Sequence, residues 1–303
     1  MDRYWIFTVV DRRIGKEKKK GIEIYRQRMS DSFWGIEEKA QNRMWIREGD
    51  HVVFYLGRSD GKKFLGTCTL ASNYCELNEN ERRRLHHGPF FQSTHGVKLK
   101  GIDVWEKQIP IDSLVQKLGF ISNKTYWQSH LQGSIREIFE SDYLIILAAN
   151  ERNKIMKSAA EEEPKLTEES PTVKVNAKAR DNAFREMVKE IYDYSCAVCG
   201  KRRFTRSNLP EIESAHIFPK GKKGKDDPRN GIALCRLHHW ALDGGLFAIK
   251  DDFSIVIEER IRNDENYAEV SCFDKKRIRL PKEDRYKPHR VFLEAHRKMH
   301  SFK

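Results

Sequence analysis

Four cysteine and histidine side chains in the C-terminal part of the chain have the spacing of a zinc site. Cys196 and Cys199 form a CxxC pair, and Cys235 and His238 form a CxxH pair further along the chain. Structural zinc ions are held by four sulfur or nitrogen ligands in a closed tetrahedron. The two pairs therefore predict a structural zinc ion, although a CxxC pair alone would also fit a redox site or chance.

The second pair lies on a predicted helix that carries another histidine. Residues 234–242 have helical character and are followed by two glycines, which suit a helix end. Cys235 and His238 share a face, whereas His239 is rotated by about 100° and lies one turn before Asp243. One helix can thus serve a zinc ion and, on the next face, a catalytic metal. The reverse assignment, with His239 on zinc and His238 free, stays open from spacing alone.

These residues, with the strand and loop before them, resemble the HNH nucleases. The resemblance is carried by Glu213-Ser214-Ala215-His216-Ile217, Asn230 and Leu234-Cys235-Arg236-Leu237-His238-His239, and it covers roughly residues 181–303. It implies a ββα-metal finger and supports His238 as the zinc ligand.

The same resemblance assigns three catalytic roles by position. It implies that His216 is the general base that deprotonates water, that Asn230 orients the catalytic loop or base, and that His239 holds a divalent ion such as Mg²⁺ or Mn²⁺. A neutral imidazole can take a proton near neutral pH, and a metal ion can stabilise charge on the phosphorane and the departing 3′ oxygen. These residue types are the ones that phosphodiester hydrolysis needs.

One position departs from the HNH pattern. Many members of that family have a metal-binding acid directly before the catalytic histidine, but this chain has Ala215. Asp243, one turn after His239, and Glu213, on the same strand face as Ala215, are the carboxylates that could replace it. We favour Asp243. If neither reached the metal, the finger would be a purely structural scaffold.

The first half of the chain contains short segments rich in β-branched and aromatic residues, which are typical of strands. They cover residues 4–10, 50–56, 64–71 and 97–105, and helical periodicity follows at 111–118 and 134–139. This order predicts an α+β domain with helices packed on a small, partly closed sheet.

Four short sequences in this half resemble the EVE domain, a PUA-like relative of the YTH readers. They are Tyr4-Trp5-Ile6, Phe33-Trp34-Gly35, Gly49-Asp50-His51-Val52-Val53-Phe54-Tyr55 and Phe64-Leu65-Gly66. The resemblance covers about 150 residues. It implies a compact β-barrel with a pocket that accepts a single flipped, modified base.

Aromatic side chains would give such a pocket its stacking surface, since stacking contributes roughly 1 to 3 kcal/mol per base. The candidates are Trp34, Tyr55, Trp5 and Trp45. Each ring could equally belong to the core; Trp34 is the first choice because it lies beside a glycine in a polar stretch. A methyl group on the base adds only about 0.8 kcal/mol of apolar burial, so pocket shape must supply the remaining discrimination.

The stretch between the two resemblances is poor in large apolar residues. Residues 151–180 include Glu161-Glu162-Glu163-Pro164 and Glu168-Glu169-Ser170-Pro171, a composition that cannot bury enough surface to become ordered. We predict a flexible linker there, between a reader domain at 1–150 and a nuclease domain at 181–303.

The overall composition favours a nucleic-acid partner. In 303 residues, 57 Lys and Arg against 45 Asp and Glu give a net charge of +12, which favours a polyanion. No apolar run is long enough for a membrane span, and the scattered Cys68, Cys75 and Cys272 fit reduced thiols better than disulfides. We therefore expect a cytoplasmic protein without a membrane partner.

Together the two resemblances imply a modification-dependent restriction endonuclease. Such an enzyme would bind double-stranded DNA that carries 5-methyl- or 5-hydroxymethylcytosine and hydrolyse phosphodiesters nearby, in defence against phage or foreign DNA. A homodimer would supply the two active sites for double-strand cleavage. The alternatives are a nonspecific or RNA-directed HNH nuclease, and a non-catalytic protein that binds modified bases through a degenerate finger.

Overall fold

A curled sheet forms the centre of the first part of the chain. The computed structural model describes residues 2–58, 61–168 and 174–302, and the chain divides into units 1–150 and 151–303. The strands of the first unit are β1 (Tyr4–Val9), β2 (Arg12–Ile14), β3 (Glu17–Lys19), β4 (Phe33–Gly35), β5 (His51–Leu56), β6 (Lys63–Leu70), β7 (Cys75–Glu76), β8 (His95–Pro110) and β9 (Ile135–Ile138).

The main sheet has the order β4-β8-β6-β5-β1-β9, and β7 also pairs with β8. β1 runs parallel to β5 and antiparallel to β9, while β2 and β3 form a separate hairpin. The sheet curls into a half-barrel because the long strand β8 pairs with β6 along one part and with β4 and β7 along another. The predicted α+β, PUA-like fold is confirmed.

The strand β1 is held in the interior by apolar packing and by one buried carboxylate. Trp5 Nε1 donates a hydrogen bond of 2.8 Å to Asp50 Oδ2, and the backbone N–H groups of Arg3 and Arg47 donate to the same carboxylate. Every one of these donors satisfies an acceptor that burial would otherwise leave unpaired. Trp5 is therefore a core residue with a structural hydrogen bond.

Three helices accompany this sheet: α1 (Gly21–Ser30), α2 (Glu79–Arg84) and α3 (Glu140–Glu161). Of the two helices predicted from periodicity, the one at 111–118 is only partly present, and the one at 134–139 is wrong. Residues 111–118 begin with a short 3-10 helix at Ile111–Ser113, and residues 134–139 contain the strand β9. Strand pairing with the edge of β1 satisfies the backbone of residues 135–138, and this outweighs a local helical pattern.

The prediction of a flexible linker at 151–180 is wrong for the described residues of that range. Residues 151–161 continue α3, and the helix α4 (Lys174–Ile191) covers the end of the range. Ile155 and Ala159 are buried, so the helix has an apolar face that composition alone does not reveal.

Besides α4 and the end of α3, the described part of the second unit contains two antiparallel hairpins and three short helices. They are β10 (Glu213–His216), β11 (Gly231–Leu234), α5 (Arg236–Asp243), β12 (Phe247–Ile249), β13 (Ile255–Ile257), α6 (Ala268–Ser271) and α7 (Arg290–Met299). The 3-10 turn at Glu265–Tyr267, capped by Asp264, leads directly into α6. Across the described ranges, no helix has the length and apolar character needed to cross a membrane.

Candidate functional site

The predicted zinc ligands come together at one point of the second unit. The ligand atoms of Cys196, Cys199, Cys235 and His238 all lie within 4.8 Å of one another. His238 Nδ1 lies 3.6 Å from Cys196 Sγ and 3.0 Å from Cys235 Sγ. Ligands at zinc bond lengths in a tetrahedron stand about 3.5 to 3.8 Å apart, so this set fits a zinc ion.

The electrostatics of the sulfur atoms also fit a cation. The hydrogen bond from Cys196 lowers the pKa of the Cys235 thiol, and contact with His238 lowers it further. The same hydrogen bond, in which Cys196 keeps its proton, raises the pKa of Cys196, and burial and the charge of Cys235 raise it further. A metal ion would stabilise both sulfur atoms as thiolates, and it would hold the CxxC loop to the start of α5.

His216 lies on β10 between an aromatic ring and a carboxylate. Its ring stacks on Phe184 of α4 at a centroid distance of 4.1 Å, and its Nε2 lies 2.9 Å from Asp226 Oδ1. Gly231, opposite His216 in the hairpin register, permits this packing because a Cβ there would lie 2.3 Å from Val188. The hydrogen bond uses one ring nitrogen and leaves Nδ1 for another partner.

Asp226 is a site residue that the sequence reasoning missed. Its Oδ2 accepts hydrogen bonds from Lys220 Nζ at 2.7 Å and from Arg180 Nε at 3.2 Å. Burial tends to raise its pKa, but the bonds from His216 and Lys220 outweigh that effect and lower the pKa to about 2. The signal was the pair Asp226-Asp227 inside an otherwise basic loop between His216 and Asn230.

Asn230 fastens the loop between the two finger strands. Its Oδ1 accepts from the N–H of Phe218 at 2.8 Å, and its Nδ2 donates to the carbonyls of Phe218 and Lys225 at 3.1 and 3.0 Å. The side chain is fully buried. These contacts fix the loop that carries Asp226, and they leave no exposed amide for a substrate.

His239 stands between the two carboxylates that could replace the acid missing at Ala215. Glu213 Oε2 lies 2.7 Å from His239 Nδ1, and Asp243 Oδ2 lies 3.4 Å from Nε2. Histidines that bind metals usually direct the other ring nitrogen to a carboxylate, which fixes the ring and its tautomer. The geometry therefore suits an ion shared by Nε2 and Asp243, with Glu213 as the orienting group.

The first unit contains a cavity of about 770 Å³. Its lining includes four cationic side chains and two side-chain amides: Arg12, Arg28, Arg58, Lys62, Gln128 and Gln132. Of the four aromatic residues predicted for a base pocket, Tyr55 lines this cavity. Trp45 is 58% exposed elsewhere on the surface, where Arg3 lies over its ring.

Trp5 and Trp34 are core residues rather than lining residues. Both are at most 1% exposed, so a base could not stack on them without displacing their neighbours. Trp34 packs on Phe54 at 4.7 Å, and the guanidinium of Arg28 lies 4.4 Å from its ring centre. Arg28 lines the cavity, and Trp34 lies behind it and holds its guanidinium through a cation–π contact.

Burial gives Arg28 an unusual environment. Desolvation, with the neighbouring charge of Arg12, lowers the pKa of the Arg28 guanidinium to about 9, and Glu37 opposes the shift. The group still carries its charge at neutral pH. The cavity thus offers a fixed, poorly hydrated cation beside hydrogen-bonding amides.

Comparisons with known proteins agree with this division of the chain. Residues 3–149 match the EVE domain model, and residues 196–250 match the HNH endonuclease model. A UPF0310 protein from Pyrococcus abyssi is 30% identical over 123 residues, which cover 38% of this chain and 84% of that protein. A UPF0310 protein from Pyrococcus horikoshii is 29% identical over 125 residues, covering 38% and 83%.

Among solved structures, the modification-dependent TagI restriction endonuclease aligns with 97% of this chain and 80% of its own, at 14% identity and a TM-score of 0.33. The family assignment rests on the sequence matches. The chain belongs to the UPF0310 family and combines an EVE domain with an HNH endonuclease domain.

Proposed function

We propose that this protein is a modification-dependent DNA endonuclease that reads a flipped 5-methyl- or 5-hydroxymethylcytosine and cuts nearby. The observation that carries the proposal is the presence, on one chain, of an EVE domain with a cationic cavity and an HNH domain whose His216 is paired with a buried Asp226. The positive net charge agrees with a DNA partner. A cytoplasmic location and a homodimer for double-strand cleavage belong to the same proposal.

In the hydrolytic step, His216 acts as the general base. Its Nε2 is held by Asp226, so Nδ1 takes a proton from water while the water oxygen attacks phosphorus and the bond to the 3′ oxygen breaks. Asp226 fixes the ring orientation and stabilises the imidazolium that forms. A divalent ion bound at His239 and Asp243 would stabilise negative charge on the phosphate and on the leaving oxygen.

In the recognition step, the cavity of the first unit accepts the base. Its volume lies within the range of small-molecule sites. The amides of Gln128 and Gln132 can bond to the base edge, Tyr55 gives an aromatic wall, and the cations can contact the flanking phosphates. Unstacking a base costs a few kcal/mol, which these contacts must offset.

The test is cleavage of two plasmids of identical sequence, one with modified cytosine and one without, in the presence of Mg²⁺ or Mn²⁺. We expect cutting of the modified plasmid only, and none after chelation of the ion. Equal cutting of both plasmids would remove the reader function and leave a nonspecific nuclease. The absence of cutting with tight binding of modified DNA would instead indicate a binding protein.

A substitution in the cavity tests the reader separately. Tyr55→Ala should weaken the preference for modified over unmodified duplex in a binding assay, because it removes the aromatic side chain of the cavity wall. That side chain is only 3% exposed, so circular dichroism must first show that the variant is folded. Trp45→Ala is the control, because that exposed ring lies outside the cavity lining. If Trp45→Ala weakened the preference and Tyr55→Ala did not, the cavity would not be the reading site.

A further inference from the structure

We infer that Glu168 is a positioning residue of the nuclease, acting through Asp226 on His216. Glu168 precedes the HNH match at 196–250 and lies in the range for which composition predicts a flexible linker. The inference rests on the proposed hydrolytic role of His216 and adds to it a residue that lies outside the HNH domain match.

The segment 162–168 is attached to the catalytic loop through its backbone. The N–H of Glu168 donates to the carbonyl of Lys223 at 3.0 Å, and the N–H of Lys225 donates to the carbonyl of Leu166 at 3.2 Å. Between these bonds, Thr167 and Gly224 form an antiparallel bridge. The segment thus adds a short strand-like edge to the loop that carries Asp226.

The side chain of Glu168 makes three polar contacts at the same place. Its Oε1 accepts from the backbone N–H of Asp226 at 2.7 Å and from Lys220 Nζ at 3.3 Å. Its Oε2 accepts from Arg180 Nη2 at 2.6 Å. Lys220 and Arg180 are also the cations that bond to the carboxylate of Asp226. Glu168 and Asp226 therefore share both cations.

This arrangement fixes the direction of the Asp226 carboxylate. With Glu168 present, Lys220 and Arg180 each have a carboxylate partner besides Asp226, and Asp226 Oδ1 is available to His216. Without Glu168, the buried N–H of Asp226 would lose its acceptor. Lys220 would then have only Asp226 in this cluster, and Arg180 would have Asp226 and the more distant Glu151 at 3.9 Å. The carboxylate would then turn toward the cations, and His216 would lose its fixed orientation.

The first experiment compares turnover by the full-length chain with three variants. Glu168→Ala should lower kcat at least tenfold with little change in KM, because the residue orients a catalytic group and does not bind DNA. Glu168→Gln keeps an oxygen for the Asp226 N–H but cannot accept from Arg180, so its kcat should lie between those of Glu168→Ala and the wild type. Glu163→Ala, an exposed acid in the same segment, should cleave as the wild type does.

The second experiment tests whether the effect passes through Asp226. If Glu168 acts by orienting that carboxylate, adding Glu168→Ala to Asp226→Asn should lower kcat no further than Asp226→Asn alone. If the double variant lost kcat by the product of the two single-variant factors, the inference would be overturned. Wild-type kcat in a folded Glu168→Ala variant would also overturn it.

A readout without cleavage separates this inference from the proposed function. Hydrogen exchange of a peptide covering residues 219–227 should be faster in Glu168→Ala than in the wild type and unchanged in Glu163→Ala. Unchanged exchange in Glu168→Ala would overturn the inference even in an active enzyme. Conversely, if the wild type failed to cut any DNA while exchange responded as expected, the proposed function would fail and the positioning contact would stand.

Discussion

The two neighbouring histidines of α5 lie in opposite environments. His238 is 2% exposed and points its Nδ1 at the sulfur atoms of Cys196 and Cys235. The side chain of His239 is 25% exposed and lies between the carboxylates of Glu213 and Asp243. His238 thus belongs to a closed, buried set of metal-binding side chains, whereas His239 lies at a partly exposed position.

The difference shows how one short helix can direct one histidine to a structural metal and the next histidine to a second, more exposed metal site. A rotation of about 100° per residue directs consecutive side chains to different faces. The closed face can take a metal that stabilises the fold, and the open face can exchange ligands during a reaction. Damage to the closed face should therefore unfold the domain, whereas damage to the open face should remove activity and leave the fold intact.

The largest expected effect is on the closed face. Cys196→Ser should abolish zinc binding, and residues 151–303 should lose their stable fold and unfold without a cooperative transition. The reason is that metal binding contributes folding free energy in small zinc domains. Elemental analysis measures the zinc content, and hydrogen exchange measures the loss of the fold. Cys272→Ser is the matched control, because this exposed thiol belongs to the same unit but not to the cluster. A soluble, folded and active protein without zinc would contradict the prediction.

At the proposed catalytic histidine on β10, His216→Ala should remove activity and keep the fold. A general base contributes about 10² to 10⁴ in rate, so cleavage should fall by at least that range while zinc content and binding of modified DNA stay near wild type. His239→Ala should also lose activity, but high Mn²⁺ should restore part of it by mass action. Cleavage by His216→Ala at the wild-type rate would refute the assignment.

The partner of His216 should affect stability in a pH-dependent way. Asp226 has a folded pKa of about 2, below its unfolded value of about 3.9, so the unfolded chain takes up the proton first as pH falls. The resulting stabilisation, about 2 kcal/mol, is present above the unfolded pKa and is lost as pH falls through the folded pKa.

Asp226→Asn should therefore lower the free energy of unfolding by about 2 kcal/mol at neutral pH, with a smaller difference from wild type below about pH 4. Urea denaturation at several pH values measures it. Asp181→Asn, which breaks a surface pair with Arg185, should change stability by less than about 1 kcal/mol. A difference for Asp226→Asn that grows on acidification would show that the carboxylate is not held as an anion.

The smallest effect should distinguish the two carboxylates at His239. Asp243→Asn should raise the metal concentration for half-maximal cleavage about tenfold, because Asp243 lies on the side of Nε2. Glu213→Gln should raise it less, since an amide oxygen can still accept from Nδ1–H. The reverse order would make Glu213 the ligand that replaces the acid missing at Ala215.

Features that a short residue spacing marks were predictable from the sequence. The cluster of Cys196, Cys199, Cys235 and His238, and the separation of His239 from it, follow from spacing along a helix and a tight loop. The α+β class was predictable from runs of strand-forming residues. The residue types of Trp5 and Trp34 were ambiguous, however, because an aromatic ring suits a core and a base pocket equally well.

The remaining features depend on contacts between residues far apart in the chain. Glu168 and Asp226 are 58 residues apart, and no spacing rule connects them. Local composition likewise suggested that residues 151–180 could not be ordered, whereas tertiary contacts such as the bond from Lys225 to Ser158 hold part of that range. Contacts of this kind can be recognised only in the folded structure, where residues far apart in the sequence meet.

The docked segment and α4 also limit how this nuclease can be exchanged between proteins in evolution. A recombination event at the start of the HNH match would separate His216 from the ring of Phe184 and from Arg180 and Glu168. The stretch that keeps His216 together with these contacts instead begins near Glu151, where the second unit begins. New combinations of reader and nuclease should therefore share this longer stretch of sequence.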